Sequence, residues 1–240
     1  MLSFADRRAS GTMQPHEVKR IVFDLDGVLI KEKASWVMLR RAHGIPELYP
    51  LLKRGLQQSE LRSFLDAEVR AAGLSREDFI KAANTVELNE HVQEIVGTLH
   101  LMGIGLDIAT FAPIIYAKII ATRVHPQAFL NPAASIGCVP MNIYGSTVIF
   151  DSQGRYVTTF VHPNDQEEPW SPAVNIRKKV VLDNIAAKYR LDKENILFVS
   201  DGYDTEASLH YPTVGYRHDS GTLQTIAEIT DLRELLRLIC

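Results

Sequence analysis

Arg20-Ile21-Val22-Phe23-Asp24, running on into Leu25-Asp26-Gly27-Val28-Leu29, is a short apolar run that ends in an acid. It shows no polar alternation, so it reads as a strand covered on both faces. Two later runs have the same form. Ile104 to Thr110 (IGLDIAT) ends in a hydroxyl, and Asn195 to Ser200 (NILFVS) leads into Asp201-Gly202. Helical patterns separate them. Asn89 to Leu101 places Val92, Ile95, Val96 and Leu99 on one side, and Pro113 suits the first turn of a helix reaching about Val124. Asn175 to Arg190 and Asp231 to Ile239 give two more helices, and Thr213 to Tyr216 a fourth short strand. Alternating strands and helices predict an α/β fold with a doubly wound, mostly parallel sheet.

Two segments break that alternation. From Lys31 to about Thr85 the apolar markers Trp36, Leu39, Leu52, Leu61, Phe64, Leu65, Val69 and Leu74 recur at helical spacing. Ser75-Arg76-Glu77-Asp78 resembles a capping box opening a further helix. This segment is predicted to be an all-helical insert after the first strand. Met141 to His162 alternates with β-branched and aromatic residues around Asp151-Ser152-Gln153-Gly154, the pattern of a β-hairpin.

Bulk properties narrow the function. A net charge of −3 argues against nucleic acid held on a broad basic surface. No apolar run reaches the roughly 18 residues of a membrane span. The segment before residue 20 lacks the apolar middle of a secretory signal and reads as a leader. With only two cysteines, Cys138 and Cys240, a disulfide scaffold is excluded and a reducing cytoplasm is the expected compartment. The eight histidines show no ligand spacing, so none is expected to hold zinc.

Ligands of such sheets bind at the carboxyl ends of the strands. Four features stand there or open a helix beside them: Asp24-x-Asp26, Thr110, Lys178 and Asp201-Gly202-x-Asp204. Each alone has an ordinary structural reading as a cap, a turn or a surface lysine. Together, in this order, they supply the parts of phosphoryl transfer through a carboxylate. That chemistry needs a nucleophilic acid, a cation to screen it from the phosphate, donors for the phosphoryl oxygens and an acid at the leaving oxygen.

Phe23-Asp24-Leu25-Asp26-Gly27-Val28-Leu29 resembles the first motif of the haloacid dehalogenase (HAD) superfamily, DxDx[TV]. Ile108-Ala109-Thr110 is similar to the second motif, Lys178 to the third-motif lysine, and Phe198-Val199-Ser200-Asp201-Gly202 to the fourth. The insert directly after the first motif, with the hairpin between the second and third, looks most like the phosphoserine-phosphatase-like branch. The resemblance implies a Rossmann-like core over residues 20–30 and 86–240, a small helical cap over 31–85 and a leader over 1–19. It implies that Asp24 is the nucleophile and Asp26 the general acid and base. Thr110, the Phe111 N–H and Lys178 would bind the phosphoryl group. Mg2+ would be held by Asp24, the Asp26 carbonyl and Asp201. The second acid of the fourth motif is expected four residues after Asp201, where Thr205 stands, so the neighbouring Asp204 would reach the metal through water.

The expected activity is hydrolysis of a small phosphorylated metabolite, with no nucleic-acid or membrane partner. Phosphoserine itself is not implied. Lys33, with Glu32 beside it, stands where that branch carries its amine-reading acid, and Arg54 and Arg62 are only candidates for its carboxylate-reading arginine. A phosphotransferase would use the same intermediate. A silent relative serving as a binding or regulatory module is the alternative from another class. A signalling receiver domain would be about half this length and would lack the insert.

Overall fold

The computed structural model describes residues 18–44, 67–125, 141–160, 178–202, 204–217 and 223–239. Strands β1 (Arg20–Phe23), β2 (Gly105–Pro113), β3 (Asn142–Phe150), β4 (Tyr156–Phe160), β5 (Ile196–Ser200), β6 (Thr213–Tyr216) and β7 (Ala227–Ile229) form one sheet in the order β4-β3-β2-β1-β5-β6-β7. All neighbouring pairs are parallel except β3 with β4. The helices are α1 (Ser35–Ala42), α2 (Arg76–Thr85), α3 (Val92–Leu101), α4 (Ile114–Val124), α5 (Lys178–Tyr189), α6 (Thr205–His210) and α7 (Glu234–Ile239). A short helical stretch also covers residues 67–71.

The doubly wound character follows from the faces of β1. Ile21 and Phe23 point into a core closed by α3, α4 and α7, while Val22 points into a second core closed by α5 and α6. Successive side chains alternate across a strand, so a central strand covered on both sides must be apolar throughout. Every residue of β1 is buried. Parallel register sets Phe23 opposite both Ile108 and Val199, so the ends of β1, β2 and β5 lie along one edge.

The structure departs from the sequence reading at four places. Val18 is buried in the core and Lys19 bonds across to Asn195 and Gly105, so these two residues join the sheet rather than the leader. β2 continues past Thr110 to Pro113, with a register irregularity between Ala109 and Pro113 where it follows β3. Pro113 is therefore extended (φ −57, ψ 134), and the helix starts one residue later. The strand Ala227–Ile229 was not predicted: it has three residues and an exposed Glu228, too little for an apolar run.

The insert leaves and re-enters the core through a stitched pair of segments. Ile30 bridges Leu88, Lys31 N–H donates to Glu87, and Asn89 N–H donates to Leu29. The Asn89 side-chain amide contacts the carbonyl oxygens of Gly27 (3.0 Å), Val28 (2.8 Å) and Ile30 (3.0 Å). One buried asparagine thus satisfies the loop that carries the first acids, where unpaired carbonyls would each cost about 1–3 kcal/mol.

Within the insert, the capping box at Ser75 forms as read, with Ser75 accepting from the Asp78 N–H and Asp78 accepting from Ser75. Leu39, Val69, Leu74 and Phe79 pack with Tyr156 of the hairpin, so the insert and the hairpin share a core. Phe79 meets Trp36 and Phe150 edge-on, at ring separations of 5.8 and 5.5 Å. Leu52, Leu61, Phe64 and Leu65, with Arg54 and Arg62, lie outside the described residues. Among the described residues, no helix is long and apolar enough to cross a membrane.

Candidate active site

Each strand end delivers one group to the common edge. Asp24 follows β1, and its backbone N–H is held by Val199 of β5. Asp24 Oδ1 accepts the Leu25 N–H at 2.7 Å, and Oδ2 takes the Lys178 ammonium at 2.5 Å. Lys178 opens the described part of α5 and is only 3% exposed. Its Nζ also donates to Asp204 Oδ2 at 2.9 Å and lies 4.4 Å from the centre of the Phe111 ring. Thr110 is fully buried, and its hydroxyl is oriented by accepting the Ala112 N–H at 2.9 Å.

Asp26 divides its two oxygens. Oδ2 accepts both the backbone N–H and the hydroxyl of Ser35, each at 3.1 Å, whereas Oδ1 is buried with no hydrogen-bond partner. Asp201 Oδ2 is likewise buried without a partner. Gly27 makes room for it. Its φ is +72, and a Cβ there would come within 2.1 Å of Asp201 Oδ2. Gly27→Ala combines a left-handed backbone costing roughly 1–2 kcal/mol with a direct clash. The expected result is a thermal midpoint lower by about 2–4 °C for each kcal/mol lost and, if Asp201 holds the Mg2+ that the resemblance implies, a roughly tenfold weaker apparent affinity in a magnesium titration.

The electrostatics of this edge are unbalanced. Burial pushes the Asp24 carboxyl well above the usual range, opposed by Lys178 and reinforced by the charges of Asp204 and Asp26. Asp26 is pushed up to about 6 by burial, against the hydrogen bonds from Ser35. Asp201 is raised, first by burial and then by Asp204, with Lys178 opposing. Burial works to lower the lysine, but Asp204 and Asp24 outweigh it and raise Lys178. Lys178 thus pairs directly with Asp24 and Asp204, and Asp26 and Asp201 feel its charge from farther off, so the acids of this edge outnumber its one buried ammonium.

The donors suit a hard cation. Asp24, Asp201 and the Asp26 carbonyl offer only oxygen, the ligand type of magnesium, which keeps several waters. Among the described residues, no three His, Cys, Asp or Glu side chains converge on one point. The implied set does not require that, since it joins two carboxylates to a main-chain carbonyl.

Asp204, expected to reach the metal through water, has direct side-chain partners in the structure. Its Oδ2 is taken by Lys178 and by the Ser200 hydroxyl at 2.6 Å, so its geometry supports holding the lysine. Ser200 supplies that bond across four residues. Ser35 and Trp36 were missed, because the sequence shows only a helix start there. Lys33 is exposed, while Glu32 Oε2 is buried without a partner, as is the hydroxyl of Tyr116. Burial raises the Tyr116 hydroxyl, with the charges of Asp26 and Glu32 adding to it, so the three groups feel one another.

Comparison with solved structures reaches the same architecture. A phosphoserine phosphatase in apo form matches with a TM-score of 0.67 at 17% identity, covering 93% of this chain and 100% of the other. A HAD family hydrolase from Salmonella enterica serovar Typhi matches with a TM-score of 0.73 at 16% identity, over 95% and 73% of the two chains. The chain shares the fold of these two solved proteins. A phosphoserine phosphohydrolase-like protein from Francisella tularensis shares it, with a TM-score of 0.63 at 17% identity, over 93% of this chain and 100% of the other. No family model matches the sequence, and no curated protein matches it. The chain therefore resembles these proteins in architecture far more than in residues.

Proposed function

We propose that this chain is a magnesium-dependent phosphatase that hydrolyses a small phosphate monoester through a phospho-aspartate at Asp24. One observation carries the reading: a buried carboxylate at the end of β1 is gripped by a buried lysine, beside a second acid with one free buried oxygen. When bound, Mg2+ would screen the repulsion between the Asp24 carboxylate and the phosphate.

The chain's own groups do the rest. An Asp24 oxygen forms a bond to phosphorus as the ester P–O bond breaks. Asp26 gives its proton to the leaving oxygen. A carboxyl held near 6 can carry that proton close to neutral pH and then take one back from the attacking water. That water breaks the Asp24–phosphorus bond and releases inorganic phosphate. Thr110 and the Phe111 N–H donate to phosphoryl oxygens, each such donor being worth roughly 3–4 kcal/mol in the transition state. Lys178, fixed by Asp204 and Ser200, neutralises charge on Asp24 and the phosphate.

The test is turnover of p-nitrophenyl phosphate and a panel of phosphate esters with Mg2+, and with EDTA. Magnesium-dependent release abolished by EDTA is the expected result. Absence of turnover across the panel in a folded, magnesium-loaded protein would overturn the reading in favour of a silent binding module.

A further inference from the structure

Helix α1 lacks any side-chain cap of its own, and no acid stands in its first turn. Its first residue instead finds its acceptor outside the insert. Both the N–H and the hydroxyl of the fully buried Ser35 go to Asp26 Oδ2, at 3.1 Å each. A helix N-terminus leaves donors that require partners and carries partial positive charge, so a carboxylate is a favourable one. The next residue, Trp36, reaches the opposite side of the site. Its indole N–H donates to the Phe111 carbonyl at 3.2 Å, which also accepts the Ser146 hydroxyl at 3.1 Å. The indole is backed edge-on by Phe79, and Phe79 by Phe150 of the hairpin.

We infer that Ser35 and Trp36 are positioning residues, a two-point latch by which one turn of the insert fixes Asp26 and Phe111 together and sets the gap between them in which the leaving group lies. The inference rests on the phosphatase reading, in which Asp26 protonates the leaving oxygen and Phe111 lies against the phosphoryl group. Its geometry assigns separate tasks. Ser35 holds Oδ2, which leaves Oδ1, the buried oxygen without a partner, as the oxygen that exchanges the proton. Trp36 ties the insert to the strand that binds phosphate, so it governs how firmly the site is closed over its ligand.

Two variants separate the tasks, each in the full-length protein with p-nitrophenyl phosphate and Mg2+. Ser35→Ala is expected to lower kcat roughly tenfold with little change in KM, and Ser35→Thr, which keeps the hydroxyl, to restore most of it. Trp36→Phe keeps the ring against Phe79 but removes the donor, and is expected to raise KM by about the same factor. Thermal midpoints of all variants are measured alongside. Losses that merely track destabilisation, that strike kcat and KM alike in both variants, or that Ser35→Thr fails to repair, would overturn the latch.

Amide hydrogen exchange over residues 35–42 tests it without turnover. Severalfold faster exchange in Ser35→Ala and Trp36→Phe, with the central strands unchanged, supports the latch. Unchanged exchange overturns it. If the wild-type protein turns over no ester, the function reading falls by itself, and the exchange data alone decide the latch.

Discussion

Asp24→Asn is expected to abolish turnover, by at least about 10⁴-fold in kcat, while leaving the protein folded. The amide is nearly the same size as the carboxylate; its single carbonyl oxygen can keep only one of the two donors, the Leu25 N–H or Lys178, while Lys178 retains Asp204. On the proposed mechanism, what disappears is the nucleophile, for which no neighbouring group can substitute. Asp26 is pinned on Ser35, and Asp204 is occupied by Lys178 and Ser200. Stability should not fall with activity. Burial and two neighbouring acids already push the Asp24 carboxyl upward, so removing its charge relieves crowding that function imposes. Two measurements check this: acid-quench trapping of a phosphoryl-enzyme, present in the wild type and absent from the variant, and a thermal midpoint for Asp24→Asn that is equal or higher. A variant retaining more than a percent or so of wild-type kcat would remove Asp24 from the mechanism.

The sheet core was legible in sequence because burial on both faces forces continuous apolar runs, and β1, β2 and β5 have them. Their acid and hydroxyl ends marked the edge of the site for the same reason: polar residues end such runs where the chain reaches solvent or ligand. Contacts between distant segments left no such trace. Ser35 meets Asp26 only because the insert folds back over the first loop, and its neighbours in sequence give no sign of it. Asp204 shows a second limit. Sequence supplies an acid near the right spacing, but the turn after β5 decides which groups it meets, and there it takes the Ser200 hydroxyl and Lys178. β7 is short and half-polar, and pairing with β6 makes it a strand rather than any pattern of its own.

The ion pair at the opposite end of β1 carries the second large effect. Arg20 and Asp107 sit on neighbouring strands, joined at 2.7 Å, with side chains only 3% and 0% exposed. Tyr189 stacks on the guanidinium at 3.5 Å, and Asn142 gives Asp107 two further donors, at 3.0 and 2.7 Å. Despite these partners burial dominates, and it raises the Asp107 carboxyl against the pull of Arg20 and Asn142. The pair is therefore poor evidence of net stabilisation, yet breaking it is costly. Asp107→Ala leaves a guanidinium buried under Tyr189 with its acid gone, and such half-removed pairs cost about 3–5 kcal/mol. For a chain of this size that is a fall of roughly 6–20 °C in thermal midpoint, the largest stability loss expected here. The double change Arg20→Met with Asp107→Leu should recover most of it, because apolar residues of similar volume need no desolvated partner. Thermal melts of the single and double variants decide the matter. If the double variant proved no more stable than Asp107→Ala, the pair itself would be contributing net stability, and the argument from burial would fail.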